Sequence, residues 1–163
     1  MASEYEYTPI KELDGIRLIE LQPAAHVSAP IRCSLIHQQL SLCDSRDIYC
    51  RAPYTALSYI WGCPDKTKMI TVNSEKTLRI TVNLFSALSD LRHKTLSLPL
   101  WADGICINQS DNEEKSAQVC MMGRIYAEAN HTVIHLPAAV AGDTDGYNES
   151  ALLDSISGGN EQP

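Results

Sequence analysis

The chain has 163 residues, 44% hydrophobic and 20% charged, with a formal charge of -7; that suffices for one globular domain with its own core and is too little for two. No apolar run approaches the roughly 20 residues that cross a bilayer, and the acidic start Met1 to Glu6 is unlike a secretory signal, so a cytoplasmic protein without a membrane anchor is expected. The acidity sits at the end: residues 138–163 carry five acids and no Lys or Arg, leaving 15 acids against 13 bases before them and no basic stripe that would favour nucleic acid.

Met1 to Pro9 is a polar lead. Ile16 to Leu21 then alternates as a strand, Gln22 to Pro30 is a connection, and Ile31 to Leu40 is a second strand with Ile31, Cys33 and Leu35 on one face. Leu42 to Pro53 is polar and reads as a loop. Tyr54 to Gly62, YTALSYIWG, is a β-favouring run closed by an aromatic and a residue tolerant of positive φ. The simplest reading makes Trp61 a core anchor. The other places Ser58, Tyr59, Trp61 and Gly62 at a sheet edge, where an aromatic face stacks on a planar ligand.

Lys68 to Asn73 and Thr77 to Thr81 flank Asn-Ser-Glu-Lys and predict a hairpin. Leu84, Ala87, Leu88 and Leu91 repeat at helical spacing after a cap at Thr81 or Asn83, and Arg92, His93 and Lys94 put cations at the helix's negative end. Leu98 to Ala102 is a short buried strand ended by Asp103, followed by a loop from Gly104 to Ser110. A helix begins after Asp111, with Ala117, Cys120, Met121, Ile125 and Ala129 expected toward the core. Thr132 to Leu136 is a further strand, parallel to the one before the helix by a right-handed crossover. Asn148 to Ile156 suggests one more helix in the acidic tail.

In open α/β sheets ligands bind beyond the carboxyl ends of strands, so Asp103, Asn108, Gln109 and Glu114 are expected on the same edge as Ser58 to Gly62. None of the six cysteines (Cys33, Cys43, Cys50, Cys63, Cys106, Cys120) forms a CxxC pair and no His stands at zinc-finger spacing, so reduced thiols and no metal site are expected. Cys106 reads as core packing more readily than as a nucleophile.

Three blocks, YTALSYIWG, NLFSALSDLR and LWADGICINQSDNEEKSAQVCMMGRIYAEA, resemble the signatures of the fungal heterokaryon incompatibility (HET) domain, and IRLIEL and IRCSL resemble its N-terminal pattern. Ala102 and Gly104 stand where that family tends to have Ile and Ala, and His135-Leu136-Pro137 where it has Trp-Leu-Gly. The resemblance implies a HET domain over 7–137 with the tail 138–163 outside it, and a TIR-like α/β fold: a mostly parallel central sheet flanked by helices, with an N-terminal β addition that includes the hairpin.

It further implies a cytosolic cell-death effector of fungal non-self recognition, controlled by nucleotide-binding, receptor-type regulatory regions. TIR-like domains include some that cleave NAD. In that case Glu114 is the catalytic carboxylate, with NAD as substrate and no cofactor; Ser58, Tyr59, Trp61, Gly62, Asp103, Asn108, Gln109 and Gln118 bind the ligand. Asp111-x-x-Glu114 is equally a capping box, Asp103 a satisfier of loop amides, and Asn108 a turn residue. The competing class is a self-associating module that signals by assembly without chemistry.

Overall fold

The computed structural model describes residues 3–40 and 53–136. Strand β1 (Gly15–Leu21) is buried at every position but Glu20, because it has a neighbour on each side and packing on both faces. Its partners β2 (Arg32–Gln39) and β6 (Leu98–Trp101) both run antiparallel to it, with Ile19 opposite Leu35 and Leu100. With β3 (Thr55–Tyr59), β4 (Lys68–Val72), β5 (Lys76–Ile80) and β7 (His131–His135) they form one seven-stranded sheet, in the order β5-β4-β2-β1-β6-β3-β7.

The sheet is therefore mixed, not mostly parallel as expected from the resemblance. β3 pairs in parallel with β6 and β7, and β2 pairs briefly in parallel with β4; β1–β2, β1–β6 and β4–β5 are antiparallel. Chain length between strands explains the β1–β2 pair. Parallel neighbours need a crossover of a dozen or more residues, and the connection from Leu21 to Arg32 is shorter than that. β6 and β7 do run parallel across the intervening helix, but β3 lies between them, so they are not a pair.

The hairpin forms where its turn residues predict it. Asn73 and Ser74 both take positive φ, +49° and +72°, and the Asn73 side chain accepts from Leu35 N at 3.0 Å, which locks the turn onto β2. Helix α1 (Val82–Leu91) is capped by Thr81, whose hydroxyl accepts from Leu84 N, and buries Leu84, Ala87 and Leu88. Arg92 closes the helix with its backbone, N–H donating to Leu88 O at 3.1 Å, but its guanidinium does not sit at the helix end. It donates instead to the carbonyls of His26, Val27, Ala29 and Pro30, tying down the connection that precedes β2.

After β6 the expected loop begins with a single helical turn, α2 (Asp103–Cys106), and helix α3 (Asn112–Glu128) starts behind Asp111, whose carboxylate accepts from Glu113 N and Glu114 N. The face that α3 turns inward differs from the predicted one. Met121, Ile125 and Ala129 pack on the core, but Ala117 and Cys120 are exposed and Gln118 is buried. Two polar side chains set this rotation, Glu114 and Gln118, because both find partners on β1 (Arg17 Nη1 to Glu114 Oε1, Gln118 Nε2 to Gly15 O) that solvent-facing positions would forfeit. Trp101, not Trp61, is the large aromatic of the core, edge-on to Tyr126 with ring centroids 5.6 Å apart. The expected loop 42–53 falls almost wholly outside the described residues, and the tail helix entirely so.

Candidate functional site

Because β3 and β6 are parallel neighbours, with Thr55 opposite Leu100, their carboxyl ends open on the same edge of the sheet. The chain leaves β3 through Tyr59, Ile60 and Trp61 and turns at Gly62, which has φ +64°. A side chain at Gly62 would strike the Asn83 amide, which donates to Ile60 O at 2.9 Å and holds the turn against the start of α1.

Asp103, two residues beyond β6 and the first of α2, collects donors from both segments. Its Oδ2 accepts from Trp61 Nε1 at 2.9 Å, its Oδ1 from Gly104 N at 2.7 Å, and the Tyr59 hydroxyl donates to the same carboxylate. Burial, and then the neighbouring Asp103 charge, push the Tyr59 phenol far above its ordinary range, so it is a fixed donor. Trp61 lies nearly parallel to Tyr59, 8° between planes with centroids 6.4 Å apart, and keeps 39% of its surface exposed. It is a rim residue, which corrects the core-anchor reading. Gly104 sits so close to the Tyr59 hydroxyl that a Cβ would collide with it. Ser58 is half-buried on β3 and bonds the Tyr126 hydroxyl.

Glu114 belongs to a second group. Arg17, fully buried on β1, donates Nη1 to Glu114 Oε1 at 2.5 Å and Nη2 to Oε2 at 2.8 Å, a fork-to-fork ion pair. The same guanidinium donates to Cys106 O at 3.1 Å and Thr8 O at 2.5 Å and lies 4.9 Å from the centre of the Tyr7 ring. Asn108 N donates to Glu114 Oε1 at 2.7 Å. Half of the expected capping box is present: Asp111 caps α3, but the glutamate reaches back to Asn108 instead of to the capping residue's own amide, which bonds Asn108 O. Burial alone would raise the Glu114 carboxyl, but the Arg17 and Asn108 hydrogen bonds outweigh it and hold the group below its ordinary range.

The turn between the two groups is itself bonded. Gln109 Nε2 donates to Asp103 O at 2.9 Å, and Asn108 Oδ1 accepts from Ser110 N at 3.2 Å. Asn108 and Gln109 line a groove of about 240 Å³ with Tyr5, Tyr7, Lys66 and Arg79. Glu114 and Gln118 line a different one of about 350 Å³, under residues 9–13. The expected meeting of the two segments at one edge is therefore seen for Tyr59, Trp61 and Asp103, while Glu114 and Gln118 border separate space.

Arg17, Tyr7 and Thr8 were not among the residues singled out from the sequence. The available signal was one arginine inside GIRLIEL: a cation in a strand with apolar residues on both faces needs a buried counter-charge, and Glu114 is that charge. Cys106 is buried, with its thiol pushed up to about 12 by burial, as suits a packing residue. Among the described residues no three His, Cys, Asp or Glu side chains converge as a metal site, and no helix is long and apolar enough to cross a membrane.

Comparison with known proteins bears on these blocks. The model of the heterokaryon incompatibility protein (HET) family matches residues 54–156. Heterokaryon incompatibility protein 6, OR allele, of Neurospora crassa is 39% identical over 137 residues, which is 77% of this chain and 19% of that protein. The chain thus spans about a fifth of the length of the curated relative it matches. No solved structure matches it.

Proposed function

The chain belongs to the heterokaryon incompatibility family, and from that premise we propose that residues 7–137 are the cell-death effector domain of a fungal, cytoplasmic non-self recognition protein, acting by association with further copies rather than by chemistry at Glu114. The observation that carries this reading is the occupation of Glu114: both carboxylate oxygens are held by Arg17, and one of them also by Asn108 N. A carboxylate that must stabilise an oxocarbenium ion or activate water needs a free oxygen facing the substrate. Here the charge is already cancelled by a buried cation.

Features suited to association lie at the other end of the described chain. Among the described residues β7 is an edge strand, and Ile134 and Leu136 are 71% and 67% exposed, which is unusual for large apolar side chains on a sheet margin. Regulatory regions of the nucleotide-binding receptor type are the expected controllers of such assembly.

The test incubates the purified domain with NAD at high protein concentration while its mass is followed by light scattering. Concentration-dependent oligomers without release of nicotinamide support the proposal. Nicotinamide release that is lost in Glu114→Gln, with the variant still folded by circular dichroism, would overturn it in favour of NAD cleavage.

A further inference from the structure

Gln118 presents an acceptor that the fold leaves unused. Its orientation is fixed, because Nε2 donates to Gly15 O at 2.8 Å and only the amide nitrogen can make that bond. Among the described residues Oε1 is then left without a partner, in a residue only 2% exposed that lines the groove between residues 9–13 and the first half of α3. An unmet buried acceptor is costly, and because Oε1 itself has almost no exposed surface, a donor from the groove meets it as the wall formed by residues 9–13 gives way.

The groove specifies that donor's character. Glu12, Asp111 and Glu113 line it together with one cation, Lys11, while the Glu114 charge is spent on Arg17, so its walls carry a net charge of -2. Ile10, Leu13 and Met121 supply apolar surface beside these carboxylates. At about 350 Å³ the space suits a side chain with its neighbours and is small for a folded element.

We propose that this groove receives an arginine side chain, flanked by an apolar residue, from a partner polypeptide, with the guanidinium donating to Gln118 Oε1 and lying among the carboxylates of Asp111 and Glu113. Five donors on a planar cation satisfy a carbonyl oxygen and carboxylates together, which a neutral donor does not. This assignment is independent of whether the domain signals by assembly or by catalysis.

The experiment titrates the ¹⁵N-labelled full chain with acetyl-Leu-Arg-Leu-amide, and in parallel with acetyl-Leu-Glu-Leu-amide. The arginine peptide is expected to shift the Gln118 side-chain amide and the backbone amides of 9–13 and 111–121, and the glutamate peptide to leave them in place. Glu113→Gln, at an exposed position that leaves the fold intact, weakens binding about two- to fivefold, and Gln118→Met weakens it by about tenfold or more. Equal shifts from both peptides, no shift at Gln118, or unchanged affinity in Glu113→Gln would each overturn the proposal, the unmet acceptor then belonging to a trapped water. If Gln118→Met fails to fold, Glu113→Gln still decides.

Discussion

Replacing Arg17 by Met tests whether the buried ion pair holds the N-terminal lead, β1, the turn after β6 and α3 together. Methionine keeps most of the side-chain volume but removes every donor. Glu114, with 11% of its side chain exposed, is left as an unpaired carboxylate, and Thr8 O and Cys106 O each lose a hydrogen bond. Breaking one side of a buried pair costs about 3–5 kcal/mol. The water-facing edge of Glu114 puts the expected loss near ~3 kcal/mol, a large share of the ~5–15 kcal/mol that a domain of this size possesses. Glu114→Gln leaves Arg17 charged and fully buried but keeps one acceptor, so it should cost about 2–4 kcal/mol.

The decisive quantity is the coupling between the two substitutions. Urea unfolding followed by tryptophan fluorescence suits the measurement, because Trp101 is buried in the native state. With both changes made, neither charge remains to be stranded, and the double variant should be about 2 kcal/mol more stable than the sum of the single losses implies. Additivity within about 0.5 kcal/mol would refute the claim that this pair organises the fold.

Acid acts on the same pair. Because the folded-state pKa of Glu114 lies below its ordinary value of 4.5, its contribution is fully present above that pH and is lost as pH falls through the folded value; Arg17→Met should flatten this part of the stability profile. Asp111→Ala removes the oxygen that accepts from Glu113 N and Glu114 N, and is expected to cost about 0.5–2 kcal/mol in thermal unfolding. Gly104→Ala would drive a Cβ into the Tyr59 hydroxyl and against Leu84; a loss of about 1–3 kcal/mol is expected, relieved in the double variant with Tyr59→Phe. Iodoacetamide followed by peptide mapping should modify the exposed Cys63 and Cys120 in the native protein and spare Cys33 and Cys106, whose thiols burial pushes up to about 12; rapid native labelling of Cys106 would contradict its place in the core.

Local pattern was enough to find the hairpin, both long helices and their caps, because turn residues, i to i+4 spacing and capping side chains act within a few residues of one another. The HET blocks were legible for the same reason: they are contiguous. The meeting of Trp61 with Asp103 was inferable as well, since two strand ends at one sheet edge follow from an α/β pattern.

Strand adjacency was not legible: β6 and β7 run parallel as expected, but β3 enters between them with no local mark of doing so, and β1 takes β2 and β6 as antiparallel neighbours. The inward face of α3 was misjudged on the same ground. Periodicity ranks Ala117 and Cys120 as core residues by hydrophobicity, but a buried arginine about a hundred positions earlier in the chain calls Glu114 inward and Gly15 O calls Gln118. What the sequence by itself determined here are the strands, the two longer helices and the family, which rest on short-range interactions, while the turn α2 was read as loop. Only the tertiary structure decided that Glu114 is partnered and Gln118 Oε1 is not, because a buried charge or acceptor takes its meaning from whatever the folded chain brings opposite it.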